Sequence, residues 1–378
     1  MHVFLLGATG YIGGSVLSHL LSSPAASRYK ITAAVRSEEK AEKIRSFGVD
    51  AVLASLDDTE RLEALASQAD VVVECADADH SASTKAILSG LKKRHQETGQ
   101  VPALIHTVSC ATCISDPSDT DVRSQALVCG PPGMLSSQTV HYSHGPGVLT
   151  DNAAGMFATD TIWYDNDPDQ LDTIAPSQPH REVDLAVIAA DSEGYVKTFL
   201  VLPSTIYGLV EGQLVDAGIM NPQSQQIPRL IRTGIARKQA GMVGLGRNIW
   251  PNVHIKDVAG LYETILHALM EGREIGHGRE GYYFGENGEH TLLALAGEIG
   301  KVLVKLGVAS SEEPTTFTPK ELKEYLAGSK SLGINSRCRG ERSRSVGWKA
   351  INGTEDMLAG IEAETTYILS TGKMEQRL

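Results

Sequence analysis

The chain has 378 residues, 42% apolar and 21% charged, which is the balance of an ordinary globular protein with material for one large domain or two. Its net charge of −12, from 34 Lys and Arg against 46 Asp and Glu, argues against nucleic acid or an anionic membrane surface as partner. No apolar run approaches the roughly 20 residues that span a bilayer. Five cysteines make no disulfide framework and a first strand at His2 leaves no room for a signal peptide, so a cytoplasmic protein is expected.

Val3-Phe4-Leu5-Leu6 reads as a buried strand, and Gly7-Ala8-Thr9-Gly10-Tyr11-Ile12-Gly13 follows it directly. Val16, Leu17, Leu20 and Leu21 then mark one face of a helix. A strand, a tight glycine turn and a helix N-terminus are what a pyrophosphate needs. Gly7 permits the sharp turn, Gly10 the approach of phosphate to backbone, and Gly13 close packing of helix on strand. Gly7, Thr9, Gly10, Tyr11, Ile12 and Gly13 are therefore the expected pyrophosphate cradle.

Strand and helix alternate from there to residue 107. Strands are expected at 31–35, 51–54, 71–73 and 103–106, with helices at 38–46, 59–67, 83–95 and, later, 180–190. A further strand follows at 197–202. Continuous apolar strands between amphipathic helices predict an α/β fold, a doubly wound parallel sheet of the Rossmann type. Residues 1–107 and about 148–210 would form it. Helices at 226–236, 254–270, 291–306 and 320–326, with a short strand at 282–284, suggest a smaller, mostly helical substrate lobe over 211–378.

The alternation breaks between 108 and 147, which is rich in Ser, Cys, Gly, Pro, Thr and Asp and has no helical or strand period. Deleting 108–143 joins His106-Thr107 to His144-Gly145-Pro146-Gly147, the short polar turn expected after the strand. Val108-Ser109 can be encoded by a splice-donor-like GTGAGT and Tyr142-Ser143 by an acceptor-like string. The segment thus reads as an irregular insertion, either a retained intron or a genuine lid. Cys110-Ala111-Thr112-Cys113 within it has metal or redox spacing, but no matching second pair follows, so no metal is expected.

Four further segments stand in family order. Leu56-Asp57-Asp58 resembles the adenine-contacting segment of the short-chain dehydrogenases/reductases. Leu202-Pro203-Ser204-Thr205-Ile206-Tyr207-Gly208 resembles their strand-six motif, and Asn252-Val253-His254-Ile255-Lys256-Asp257-Val258-Ala259 their Val-His-Val-x-Asp-Val-Ala segment. Leu332-Gly333 with Val346-Gly347-Trp348-Lys349 is similar to their C-terminal region. The resemblance is to the extended and atypical members, the NAD-dependent epimerase/dehydratase group. It implies that Leu56 and Asp57 flank an adenine, and that Ala76, Thr107 and Pro203 lie toward a nicotinamide. Met220, Trp250 and His254 would wall the substrate.

Val35 is followed by Arg36-Ser37 where NAD enzymes place an acid, and a guanidinium beside a hydroxyl suits the 2′-phosphate of NADP. NADP is therefore expected ahead of NAD. The family's Tyr-x-x-x-Lys, which supplies the proton that accompanies hydride transfer, is missing. By position His180 and Asp184 replace it, one helical turn apart, as an acid/base pair with Thr107 as helper. Pro179 and the acids of the first turn equally fit a plain helix start. Tyr164, Tyr195 and Tyr207 are alternative donors. Arg337, Arg339, Arg342 and Arg344 form a basic cluster that either binds a nucleotide-sugar phosphate or is a solvated helix face.

The expected activity is an NADP-dependent oxidoreductase acting on a small carbonyl, enone or alcohol, with a family context in secondary metabolism. A nucleotide-sugar epimerase or dehydratase, and a non-catalytic NADP-sensing regulator of the NmrA-like kind, are the alternatives. The expected partner is a small-molecule substrate, and a homodimer is allowed.

Overall fold

The computed structural model describes residues 1–108 and 148–371. A seven-stranded parallel sheet runs β3–β2–β1–β4–β5–β6–β9 across the molecule. Its strands are β1 (His2–Leu6), β2 (Lys30–Val35), β3 (Asp50–Leu53), β4 (Val71–Glu74), β5 (Ala103–Thr107), β6 (Lys197–Pro203) and β9 (Tyr282–Gly285). Helices α1 (Tyr11–Ser22), α2 (Glu38–Arg45), α3 (Thr59–Ala66), α4 (Ser81–Thr98) and α5 (Arg181–Ser192) connect the strands. The strand order reverses between β1 and β4, so the crevice for a ligand opens above Leu6 and Glu74.

Two apolar layers hold the sheet. Alternation along β1 sends Val3 and Leu5 to one face, where α1 and α7 (Ile255–Met270) pack. Phe4 and Leu6 go to the other, with Leu62 of α3, Ile87 and Leu91 of α4, and Val187 of α5. In β5 Leu104 shares the second layer and Ile105 the first. Val108 and Val148, which flank the part of the insertion left undescribed, both bury in the second layer. The expectations placed on residues 109–147, including the Cys110–Cys113 pair, lie outside the described residues.

The C-terminal region departs from the expected division in one respect. Tyr282–Gly285 completes the main sheet as its edge strand, pairing in parallel with Leu200–Pro203, and α7 covers that sheet. Both were assigned to the lobe from sequence, because a single short strand carries no record of its distant partner. The lobe itself gathers α6 (Gln226–Arg237), α8 (Leu292–Lys305) and α9 (Ile361–Thr371) around Ile231, Ile299, Leu303, Met357 and Ile368. A small sheet joins the two parts. In it β8 (Ile249–His254) pairs in parallel with β7 (Thr205–Tyr207) and antiparallel with β10 (Glu289–Thr291). No helix among the described residues is long and apolar enough to cross a membrane.

Candidate active site

The glycine turn has the shape its sequence predicts. Gly7 has φ +84°, and a Cβ there would lie 2.5 Å from the Cys75 carbonyl oxygen. A Cβ on Gly13 would lie 2.3 Å from the Gly7 carbonyl oxygen, so α1 sits directly on the turn. At Gly10 the nearest atom would be that same oxygen at 3.3 Å, and the side facing the crevice is open. The N-terminus of α1 has no capping side chain and no acid in its first turn, which leaves its positive end for an anion. These features fit a dinucleotide pyrophosphate. Tyr11 has an additional use: its hydroxyl donates to the Gly208 carbonyl at 2.6 Å. Its ring thereby ties the turn to the strand-six motif, and its main chain alone remains for phosphate. The Asn221 amide donates to the Thr9 carbonyl at 3.2 Å and locks the turn from the lobe side.

At the end of β2, Arg36 is exposed and Ser37 caps α2 by accepting from the Lys40 amide. Lys40 stands one turn beyond Arg36, and burial together with the Arg36 charge pushes its ammonium pKa down. Two like charges held together at this point favour a divalent anion between them. Sequence reading missed Lys40, although an i, i+4 pair of cations was visible. Leu56 is half-buried, and Asp57 is exposed and faces the His80 imidazole at 3.2 Å. Ala76 is exposed beside Gly7, and Pro203 ends β6.

Thr107 ends β5 on the α1/α7 side of the sheet, 2.6 Å from the Tyr262 hydroxyl of α7 and 3.2 Å from the Cys75 sulfur. Burial pushes the Cys75 thiol up to about 12, so it stays neutral. His106, on the opposite face, is wholly buried and its Nδ1 lies 2.8 Å from the buried Glu74 carboxylate. Burial opposes the imidazolium, but the Glu74 hydrogen bond and the charges of Glu74, Asp184 and Asp79 outweigh it and raise the His106 pKa.

His180 is the N-cap of α5 rather than its first residue, in a left-handed conformation with φ +68°. Such a backbone is strained for a residue with a Cβ. Its Nδ1 lies 2.6 Å from the Asp79 carboxylate, on the loop after β4. The orienting acid expected from sequence, Asp184, makes no hydrogen bond with it: both Asp184 oxygens are buried without a partner, as are His180 Nε2 and His106 Nε2. Helical spacing placed Asp184 on the right face but could not reveal a nearer carboxylate 101 residues away. Burial pushes the Asp184 carboxyl up to about 6, against the pull of His106, His180 and Arg181.

Other expected groups are engaged elsewhere. Tyr207 donates to the Gly353 carbonyl at 2.7 Å, Tyr195 lies under the Lys92 ammonium at the start of β6, and Tyr164 is exposed on a two-residue strand. Met220 packs on Gly14 of α1, Trp250 is buried and bonded to the Ile334 carbonyl, and His254 caps α7 with its ring against Gly208. Met220 and Trp250 are packing residues, and His254 is a partly exposed helix cap. The basic cluster is not a plain solvated face: its arginines carry ion pairs, and Arg339 and Arg344 line a cavity with Glu286, Gly288, Glu289 and Glu341. Arg337 and Arg339 both bind the Glu289 carboxylate, Arg344 binds Glu286, and Arg342 bonds the Asp165 carbonyl. Among the described residues, no group of three or more His, Cys, Asp or Glu is arranged to hold a metal.

The NmrA-like family model matches residues 1–93. The chain is 30% identical over 364 residues to the oxidase ucsJ of an Acremonium species, covering 92% of each. In fold it is similar to UDP-glucose 4-epimerase of Thermotoga maritima, with TM-score 0.61 at 13% identity over 98% of this chain and 99% of that one. It is also similar to a dTDP-glucose 4,6-dehydratase of Bacillus anthracis in complex with NAD, with TM-score 0.59 at 15% identity over 99% and 98%.

Proposed function

This chain belongs to the extended and atypical short-chain dehydrogenases/reductases, with an NmrA-like N-terminal segment, and on that premise we propose that it is an NADP-dependent oxidoreductase using His180 as its acid. The observation that carries the reading is the His180–Asp79 pair at 2.6 Å, which joins the start of α5 to the loop after β4. Asp79 fixes the ring and favours a proton on Nδ1, which leaves Nε2 as the exchanging atom. The strained cap at His180 is the backbone cost of that orientation.

A nicotinamide dinucleotide, when bound, supplies or accepts the hydride. The amides of Gly10, Tyr11, Ile12 and Gly13, with Thr9, would hold its pyrophosphate, and Arg36 with Lys40 would hold the 2′-phosphate. Leu56, Asp57 and Ala76 would flank the adenosine, and Thr107 and Pro203 the nicotinamide. Thr107, its buried hydroxyl bonded to Tyr262 on the α1/α7 face, would brace the nicotinamide side from behind, and the substrate would be a small carbonyl, enone or alcohol. The oxidase name of the Acremonium relative accords with redox chemistry.

Screening carbonyl and enone compounds for consumption of NADPH tests the proposal: turnover lost in His180→Phe supports it. Tight NADPH binding with no turnover across the panel would instead favour the NADP-sensing regulator, which the NmrA-like match and the missing Tyr-x-x-x-Lys also suggest. The nucleotide-sugar alternative is weakened, because the arginines that motivated it carry bonds to Glu286 and Glu289.

A further inference from the structure

Helices α3, α4 and α5 pack side by side on one face of the main sheet, with Leu62, Ile87, Leu91 and Val187 in a common layer. Each runs back along the parallel strands, so all three N-termini stand at the end of the sheet where the strands finish. α4 is the middle one. Its N-cap is His80, and the residue before the cap is Asp79. These two neighbours reach in opposite directions. Asp79 bonds Nδ1 of His180, the cap of α5, at 2.6 Å. His80 turns the other way, and its Nε2 lies 3.2 Å from the Asp57 carboxylate, just ahead of α3.

The cap itself sets the His80 tautomer. Nδ1 accepts from the Ser83 amide at 3.1 Å, so the ring hydrogen sits on Nε2 and is the one offered to Asp57. A helix cap does not need an imidazole, since Ser, Asp or Asn caps at least as well. What the ring adds is the reach to the next helix. The loop that carries Asp79 and His80 is also stiff. Asp77 accepts from the Asp79 amide at 3.0 Å, and the Ser81 amide donates to the Asp79 carbonyl at 2.8 Å. The Ser83 hydroxyl donates to the His80 carbonyl at 2.9 Å. Asp58, next to Asp57, accepts from the Ser55 amide at 2.6 Å and is turned back to its own loop.

We propose that His80 is a positioning residue for the acid, linking the adenosine end of the crevice at Asp57, through the loop after β4, to Asp79 and His180. The inference rests on the reading of a bound dinucleotide with His180 as the acid. Asp57 is 76% exposed and His80 25% exposed, so in the open crevice water screens their bond and it holds the loop weakly. An adenosine laid against Leu56 and Asp57 excludes that water and strengthens the bond. The loop is then held on the α3 side as well as the α5 side. The Asp79 carboxylate, itself 60% exposed, is kept on His180 Nδ1. The acid is thus set in place when the coenzyme is seated. His80 touches no reacting atom, and no proton passes through it.

The test uses 2′,5′-ADP, the adenosine end of NADP, which carries no nicotinamide. Imidazole nitrogen NMR on the full-length protein reads exchange of the His180 Nδ1 proton with solvent. Saturation of the parent with 2′,5′-ADP should slow this exchange at least about fivefold, the low end of coupling between two sites. His80→Ser keeps the cap of α4, because serine accepts from the same amide, but loses the reach to Asp57. In this variant the slowing should vanish. His80→Gln, which returns an amide N–H near the place of Nε2, should recover it. Equal slowing in all three proteins would mean that His80 only caps its helix, and overturns the coupling. So does bound 2′,5′-ADP that leaves His180 exchange unchanged in the parent. Failure of 2′,5′-ADP to bind the parent removes the NADP reading and this proposal with it. An inactive substrate panel counts against the catalytic role of His180 alone, since the NMR readout does not depend on turnover.

Discussion

Nδ1 of His180 and the carboxylate of Asp79 meet at 2.6 Å across 101 residues of sequence, joining the N-terminus of α5 to the loop after β4. The two segments come together because β4 and β5 are neighbours in the sheet and α5 leads from the β5 side to β6. His180 pays for this contact with a left-handed backbone. His180→Phe should therefore lower turnover at least about 100-fold by removing the proton donor, while Asp79→Asn should cost about tenfold by loosening its ring. Rates of NADPH consumption on a substrate found in the panel check both. An unchanged rate in His180→Phe would remove it from the mechanism.

Cofactor choice rests on two cations. Arg36→Ala and Lys40→Ala should each weaken NADPH binding by about 10- to 100-fold, the worth of a charge-assisted hydrogen bond to phosphate, and leave NADH nearly unaffected. Fluorescence titration with both coenzymes separates the outcomes. Equal losses for NADPH and NADH would show that these side chains do not read the 2′-phosphate.

Gly13 and Gly10 should respond differently to alanine. At Gly13 the new methyl would meet the Gly7 carbonyl oxygen at 2.3 Å, against backbone that has no room to yield. Gly13→Ala should destabilise the protein by about 1–3 kcal/mol or more, as overpacking does, and weaken the coenzyme too. Gly10→Ala meets one atom at 3.3 Å, so it should fold with near-normal stability and lose dinucleotide affinity. Thermal melts with and without coenzyme distinguish the two. Loss of stability alone at Gly10 would refute its role facing phosphate.

The fold was legible because the inner strands of the main sheet are mostly apolar on both faces and the helices between them on one. Ends fell within three residues: β2 opens at Lys30, α4 runs Ser81–Thr98 against an expected 83–95, and α5 opens at Arg181. What stayed hidden was contact at long range. Tyr282–Gly285 looked like part of the lobe, and Tyr262 gave no sign that it would reach Thr107. Asp79 sat in a run of small and acidic residues that reads as loop. His106 and Glu74 were visible as polar residues closing apolar strands, but pattern alone could not show that they pair.

Asp184 gives a pH signature. Its carboxyl is raised from 3.8 to about 6, so between those values the folded chain holds a proton that the unfolded chain lacks. This contribution to stability is present at low pH and falls as pH rises from about 4 to about 6. Asp184→Asn cannot lose it. The stability of the variant relative to the parent should therefore climb across that window by up to about 3 kcal/mol and level off above it. Urea unfolding at about pH 4.5 and about pH 7 measures the change. A difference that is the same at both would place Asp184 at its ordinary value in the fold.

The basic cluster should matter to stability and not to ligand. Two arginines hold Glu289, by bonds of 3.0 and 2.9 Å from Arg337 and 2.9 Å from Arg339, and pull its carboxyl down to about 2 against its burial. Arg337→Ala leaves this half-buried carboxylate with one partner and should cost about 1–3 kcal/mol at neutral pH. Because the Glu289 pKa is depressed, the cost should fade as pH falls from about 4.5 toward 2, where the carboxylate takes up a proton. A bound nucleotide sugar would have to compete with Glu289 for Arg337, which gives that carboxylate two bonds. Calorimetric titration with UDP-glucose should thus give the same result for parent and variant. A loss of UDP-glucose affinity in Arg337→Ala would restore the nucleotide-sugar reading and shift the substrate assignment to this face of the lobe.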